Sequence, residues 1–208
     1  MKMHQTQNHA LLRGFVHGNT TFSHSVHGIH FFRFPLRVPR LSGRDDILNI
    51  VLPEELLHLC PIAENLSVEA SGEVRSFNNR SGTGSRLVIT LYAKTLLQSN
   101  AEPCNDVLLS GVVCKQPALR RTPLGRDICD LLLAVNRRYR RADYLPCIAW
   151  GSLAAYCAEQ RVGDVLSLFG RLQSRIYTKL IDDVPVPHTA FEISVMSLEQ
   201  TEYGESEA

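Results

Sequence analysis

Four residue types recur in the second half of this 208-residue chain in a pattern that could do chemistry: arginine, lysine, tyrosine and one tryptophan. Between Val165 and Tyr177, Leu166, Leu168, Leu172 and Ile176 alternate with Arg171, Gln173, Arg175 and Tyr177. Period-two alternation is the mark of a strand, with apolar side chains toward a core and the others outward. The outward row is two guanidinium groups and an amide ending in an aromatic ring. A second strand, Tyr144 to Trp150, places Tyr144 and Trp150 on one face and the small Leu145, Cys147 and Ala149 on the other. More cations fall in connecting segments: Lys115, Arg120 and Arg121, and then NRRYRRADY, where Tyr139 lies among Arg137, Arg138, Arg140 and Arg141. Cations that follow phosphates, beside rings on which bases stack at about 1–3 kcal/mol per base, are the two components of single-strand binding. A core does not want charges beside its rings, so the conjunction argues for a binding face.

Charge distribution supports that reading where net charge does not. The chain carries a formal charge of only +1. From Asn105 to Ile181, however, twelve Lys/Arg stand against six Asp/Glu, and from Asp182 onward there are seven acids and no Lys or Arg. A basic body with an acidic end suits a polyanionic partner. There is no P-loop, no G-x-S-x-G and no H-E-x-x-H, so the expectation is a binding protein rather than an enzyme, without a cofactor or metal. SGTGSRL, from Ser81 to Leu87, has two glycines but no phosphate-binding lysine and suits a hairpin turn. The six cysteines form no C-x-x-C pair and read as small apolar fillers in a reducing compartment. His17, His24, His27 and His30 read as turn and strand-edge residues. No stretch reaches the ~20 apolar residues of a membrane span, and the polar start has no apolar signal core. The expected location is cytoplasmic, with the nucleoid, and no membrane contact.

The elements that must position these residues come in two copies. Gly14, Gly28, Val38, Arg40 and Asp46 recur 97 positions later as Gly111, Gly125, Val135, Arg137 and Asp143. With one further residue, Gly72 and Ser76 recur as Gly170 and Ser174. Such self-similarity marks a repeated structural unit. In the second copy, strands are expected over Val107–Lys115, Ile128–Asn136, Tyr144–Trp150, Val165–Tyr177 and Ala190–Leu198, with a helix in SLAAYCAEQ after the third. The first copy runs in parallel, with its helix near Glu54–Leu59. The expected fold is all-β: two tandem five-stranded OB-fold barrels, each with a short helix between strands 3 and 4. The boundaries are 8–97 for the first, 105–199 for the second and 200–208 for an acidic tail, with the polar QSNAEPCN as joint.

The stretch PALRRTPLGRDICDLLLAVNRRY, then DYLPCIAWG, then GDVLSLFGRLQSRIY resembles the bacterial single-stranded DNA-binding protein family, in its tandem OB-fold form. The shared pattern is P-x-L-R-x-T-P-x-G, A-V-N-R, D-[YF]-[IL]-P-x-x-A-W-G and G-R-L-Q-S-R-x-Y, and it spans nearly the whole second copy. The resemblance implies sequence-tolerant single-strand binding in replication, recombination and repair. It puts Tyr144, Trp150 and Tyr177 at the family's base-stacking positions. Family members assemble from four barrels, so a dimer of this chain is expected to present four. The family tail ends in acids and Pro-Phe, which partner proteins recognise; TEYGESEA lacks that tip, so docking of replication or repair proteins through it is not expected. The first copy reads as poorer, since Tyr144, Trp150, Arg171 and Tyr177 correspond to Ile47, Pro53, Glu73 and Asn79. Its outward candidates are Arg75 and Phe77, with Arg33 and Arg37 on the second strand. A weaker surface, or one given to assembly, is expected there. The competing readings are an adapter for replication restart or recombination that works through protein partners, and an RNA binder, because stacking is blind to the sugar.

Overall fold

The protein, seen as a computed structural model, is described over residues 7–79, 87–137, 139, 141–181 and 184–199. The first copy of the repeat contains β1 (Asn8–Val16), β2 (Thr21–Val26), β3 (Ile29–Pro39), β4 (Asp45–Pro53), α1 (Glu54–Leu59), β5 (Ser67–Asn78) and β6 (Leu87–Gln98). The second contains β7 (Cys104–Val113), β8 (Ala118–Arg121), β9 (Asp127–Asn136), β10 (Ala142–Trp150), α2 (Ser152–Ala158), β11 (Val165–Ile181) and β12 (Val184–Glu199). Each copy thus has the expected helix between its third and fourth long strands, and a short extra strand, β2 or β8, that completes a hairpin. Those two strands are exposed nearly throughout, and no alternation announces them.

The expectation of two closed five-stranded barrels does not hold. Five strands of each copy form a ring, but the ring does not close into a barrel. All twelve strands belong to one sheet, in the order β2-β3-β4-β6-β5-β1-β7-β11-β12-β10-β9-β8. The reason lies in how β1 and β7 spend their edges. One edge of β1 pairs with β5 from Ala10 to Phe15. The other is divided: Asn8–Arg13 pair with β7, which leaves only Phe15 and Val16 for β3. Similarly β7 gives Cys104–Leu109 to β1 and keeps Val112 and Val113 for β9. The edge that would have sealed each ring is used to join the two copies. The parallel joints are equally short, Ile50–Val51 to Leu91–Tyr92 and Cys147–Ile148 to Ile193–Ser194.

The core is continuous across the join. Ala10 and Leu12 of β1 and Val107 and Leu109 of β7 are fully buried in the same cluster as Phe34, Leu48 and Leu91 of the first copy and Leu133, Leu145 and Leu172 of the second. Gly72 and Gly170 occupy equivalent β-bulges, where the register shifts between Ser71 and Gly72 and between Phe169 and Gly170. A Cβ at Gly72 would stand 2.0 Å from Tyr92 O, and at Gly170 2.4 Å from Ser194 O. Only glycine permits these approaches. Pro146 is accommodated because β10 has just one neighbour until Cys147, so its missing N–H interrupts no second ladder. All six cysteines are free. Burial, with a smaller contribution from Cys129, pushes the Cys157 thiol up to about 12, and burial raises Cys147 further. These are filler thiols held protonated.

Candidate nucleic-acid interface

The outer side of the second copy is assembled by register. Opposed residues on neighbouring strands share a face. Arg171, Gln173, Arg175 and Tyr177 of β11 stand opposite Ser194, Glu192, Ala190 and His188 of β12, and Ser194 stands opposite Ile148 of β10. Tyr144, Ile148 and Trp150 share that side of β10 by alternation, while Leu145, Cys147 and Ala149 are buried beneath. Tyr144, Trp150 and Tyr177 are 51 %, 40 % and 37 % exposed, which leaves ring surface free for stacking. Tyr177 is held in place: its ring stacks on His188 at 5.7 Å, and the Arg175 guanidinium lies 5.7 Å from its centroid. Glu192 receives Gln173 Nε2 at 2.8 Å and lies 4.0 Å from Arg175. His188 and Glu192 are contributors that the sequence reading missed, because β12 shows no charged or aromatic alternation of its own.

The hairpin carrying Tyr177 is longer than expected. β11 runs to Ile181 and β12 starts at Val184, so the paired strands extend past the core. Ile176 therefore does not continue the buried row of Leu166, Leu168 and Leu172; it is 76 % exposed. Lys115, Arg120 and Arg121 are exposed around β8, with Arg120 paired to Asp130 and Arg121 to Asp127 at 3.3 Å. Tyr139 is 92 % exposed and has φ = 61°. Arg140 lies outside the described residues, as do the turn from 81 to 86 and the acidic end from 200.

Three of the candidate arginines are occupied in the join between the copies. Asp46 and Asp143 are fully buried. Asp143 accepts hydrogen bonds from Arg137 of its own copy, from Arg75 at 3.2 Å and from the Ser76 backbone N–H at 2.5 Å, both of the other copy. Asp46 accepts from Arg40 Nε at 2.8 Å, from Arg171 at 3.3 Å and from the Ser174 N–H at 2.7 Å. Arg137 also reaches Ser76 O, and Arg40 reaches Ser174 O, both at 2.9 Å. Ser76 Oγ receives Tyr144 N–H at 2.8 Å, and Ser174 Oγ receives Ile47 N–H at 3.1 Å. The join is a pair of matching clamps related by the repeat. The signal for it was present in the repeat itself, since Arg40/Arg137, Asp46/Asp143 and Ser76/Ser174 are among its shared residues. Arg75 also pairs with Glu73, which Lys94 shares, while Phe77 beside it is 50 % exposed. The structure thus gathers Tyr144, Trp150, Tyr177, Gln173 and Arg175 on one open side. It commits Arg137, Arg171 and Arg75 to buried carboxylates.

Residues 104–200 match the model of the Single-strand binding protein family. The match covers a little under half of the chain and coincides with the second copy. Among curated proteins, the Single-stranded DNA-binding protein of Thermus aquaticus is 40 % identical over 79 residues, 36 % of this chain and 30 % of that protein. That of Enterococcus faecalis is 38 % identical over 80 residues, 35 % of this chain and 43 % of that protein. The chain therefore spans less than half the length of these two relatives. The likeness of fold extends further. The crystal structure of wild-type single-stranded DNA binding protein from Thermus aquaticus superposes with a TM-score of 0.76 over 98 % of this chain and 97 % of that one, at 20 % identity. At that identity the match shows the fold, and it includes both copies of the repeat. The single-strand binding family resemblance read from the motifs is thus found in the second copy, where all of them lie. Among the described residues no group of His, Cys, Asp or Glu could hold a metal ion, and no helix is long and apolar enough to cross a membrane.

Proposed function

We propose that this chain binds single-stranded DNA without sequence preference, coating and protecting it during replication, recombination and repair. The observation that carries the reading is the set of three half-open rings, Tyr144, Trp150 and Tyr177, on one side of the family-matching segment. Stacking on those rings contributes about 1–3 kcal/mol per base. Arg175 and Gln173 lie between them, and Lys115, Arg120 and Arg121 extend a cationic rim for phosphates. Surface pairing with Asp130 and Asp127 does not prevent this, because exposed ion pairs are weak and exchange readily for a phosphate. Nothing in this arrangement calls for a cofactor or a reacting group. Such a protein works in the cytoplasm on the nucleoid, and two chains together present four binding units. Sedimentation at micromolar concentration tests that assembly; a monomer mass rejects it.

Trp150 is the single tryptophan of the chain, so its emission reports on this face alone. Adding oligo-dT quenches it, and raising salt restores it as phosphate contacts are lost. Trp150→Ala weakens binding about 5- to 150-fold, the equivalent of one stacked base. Unchanged emission together with no mobility shift would defeat the reading. Competition between matched DNA and RNA strands decides which sugar is preferred.

A further inference from the structure

We propose that the first copy carries a nucleobase-stacking site of its own, built on the His24–Phe31 ring pair. The inference rests on the single-strand reading above and states where the first copy engages the strand. At one corner of the second copy, Trp150 on β10 stands directly opposite Ile128 on β9. The equivalent pair in the first copy is Pro53 on β4 opposite Phe31 on β3. Opposed residues share a face. An aromatic ring thus stands at this corner of the first copy too, on the neighbouring strand.

Phe31 itself is only 6 % exposed, and what covers it is another ring. His24, exposed on β2, lies parallel to Phe31 with centroids 4.9 Å apart and planes 8° from each other. Tyr92 of β6 packs against Phe31 at 5.6 Å. The stack is thus fixed from below and ends in a flat imidazole on the surface. Histidine is among the rings on which unstacked bases settle. Arg33, two residues along β3 and on the same face, is exposed and donates through Nε to the neutral Thr21 hydroxyl at 3.2 Å. It is placed to meet the phosphate of a base stacked on His24. Arg75, by contrast, is shared between Glu73 and Asp143.

The test uses the full chain, oligo-dT long enough to cross both copies, and the variants His24→Ala and His24→Phe. His24→Ala is expected to weaken binding about fivefold or more, the lower limit for one stacked base, while the quenching amplitude of Trp150 is unchanged. His24→Phe restores the affinity. Photo-crosslinking with 5-iodouracil in place of thymine is expected to mark the peptide containing His24. Parental affinity in His24→Ala, equal losses in both variants, or crosslinks confined to the second copy overturn the proposal. A parent chain that neither shifts the strand nor responds at Trp150 fails earlier and removes the single-strand reading itself.

Discussion

Replacing Asp143 by Asn tests whether the buried clamps hold the two copies together. Asparagine keeps the shape and an oxygen for the Ser76 N–H, but it removes the charge that two guanidiniums share. Breaking a fully buried ion pair from one side costs about 3–5 kcal/mol. Asp143 is fully buried, yet the side chains of Arg137 and Arg75 remain 25 % and 23 % exposed and recover part of their hydration. That lowers the expected loss to about 2–3 kcal/mol. With a urea slope of about 2–3 kcal/mol/M, the unfolding midpoint falls by about 1 M. Asp46→Asn should do the same, because its partners are arranged alike. Asp130→Asn is the control: it breaks the exposed pair with Arg120, worth at most about 1 kcal/mol. If the midpoint of Asp143→Asn falls no further than that of Asp130→Asn, the clamp reasoning is wrong.

Gly170→Ala drives a Cβ to within 2.4 Å of Ser194 O, so the bulge must shift and thermal unfolding should move down by the equivalent of about 1–3 kcal/mol. Burial acts to raise the Glu73 carboxyl, but Lys94 and Arg75 outweigh it and hold the group below its ordinary value of 4.5. A depressed carboxyl stabilises the fold above that value and loses its contribution as pH falls through the folded-state value; Glu73→Gln should therefore flatten the acid limb of a stability–pH curve. Cys147 and Cys157, raised by burial, should resist iodoacetamide at pH 8 in the native state and react once urea unfolds the chain; equal rates in both states would contradict that placement.

The parts of the fold legible in the sequence are those written in local pattern. Alternation placed the long strands, and Ala/Leu richness placed α2. Tyr144 and Trp150 were assigned to one face by counting alone. What escaped depends on partners distant in sequence. The open ring could not be read, because a strand's pattern says which face is buried and nothing about what each edge meets; β1 alternates in the same way whether it pairs with β3 or β7. Arg171 and Arg175 look equivalent in the alternation, yet one reaches a carboxylate 125 positions away and the other lies against Tyr177. Phe31 is hidden for a related reason: the position equivalent to Trp150 is Pro53, and the ring stands opposite it on the neighbouring strand.

The clamp residues are shared by the two copies, while the rings of the second copy's outer face have no counterparts at the same positions of the first. Each clamp needs the same arginine, aspartate and serine, and each is required because the other copy supplies the complementary half. Asn8 and Asn105 are a further equivalent pair, acting within their own copies: each bonds both backbone groups of a residue on the fourth long strand, Val74 or Leu172. The strand-four arginine is freer, since Arg171 aligns with Glu73 while Arg75, two residues on, serves the other clamp. On the outer face the rings of Tyr144, Trp150 and Tyr177 take no part in the clamps. There Tyr144 faces outward where the first copy has Ile47, and Trp150 where it has Pro53. A single-unit protein assembling through the same join would carry one outer face twice. A covalent tandem can hold its join constant and still present two different surfaces to one strand, and that is the arrangement in which a second, histidine-capped stack beside a tryptophan face makes physical sense.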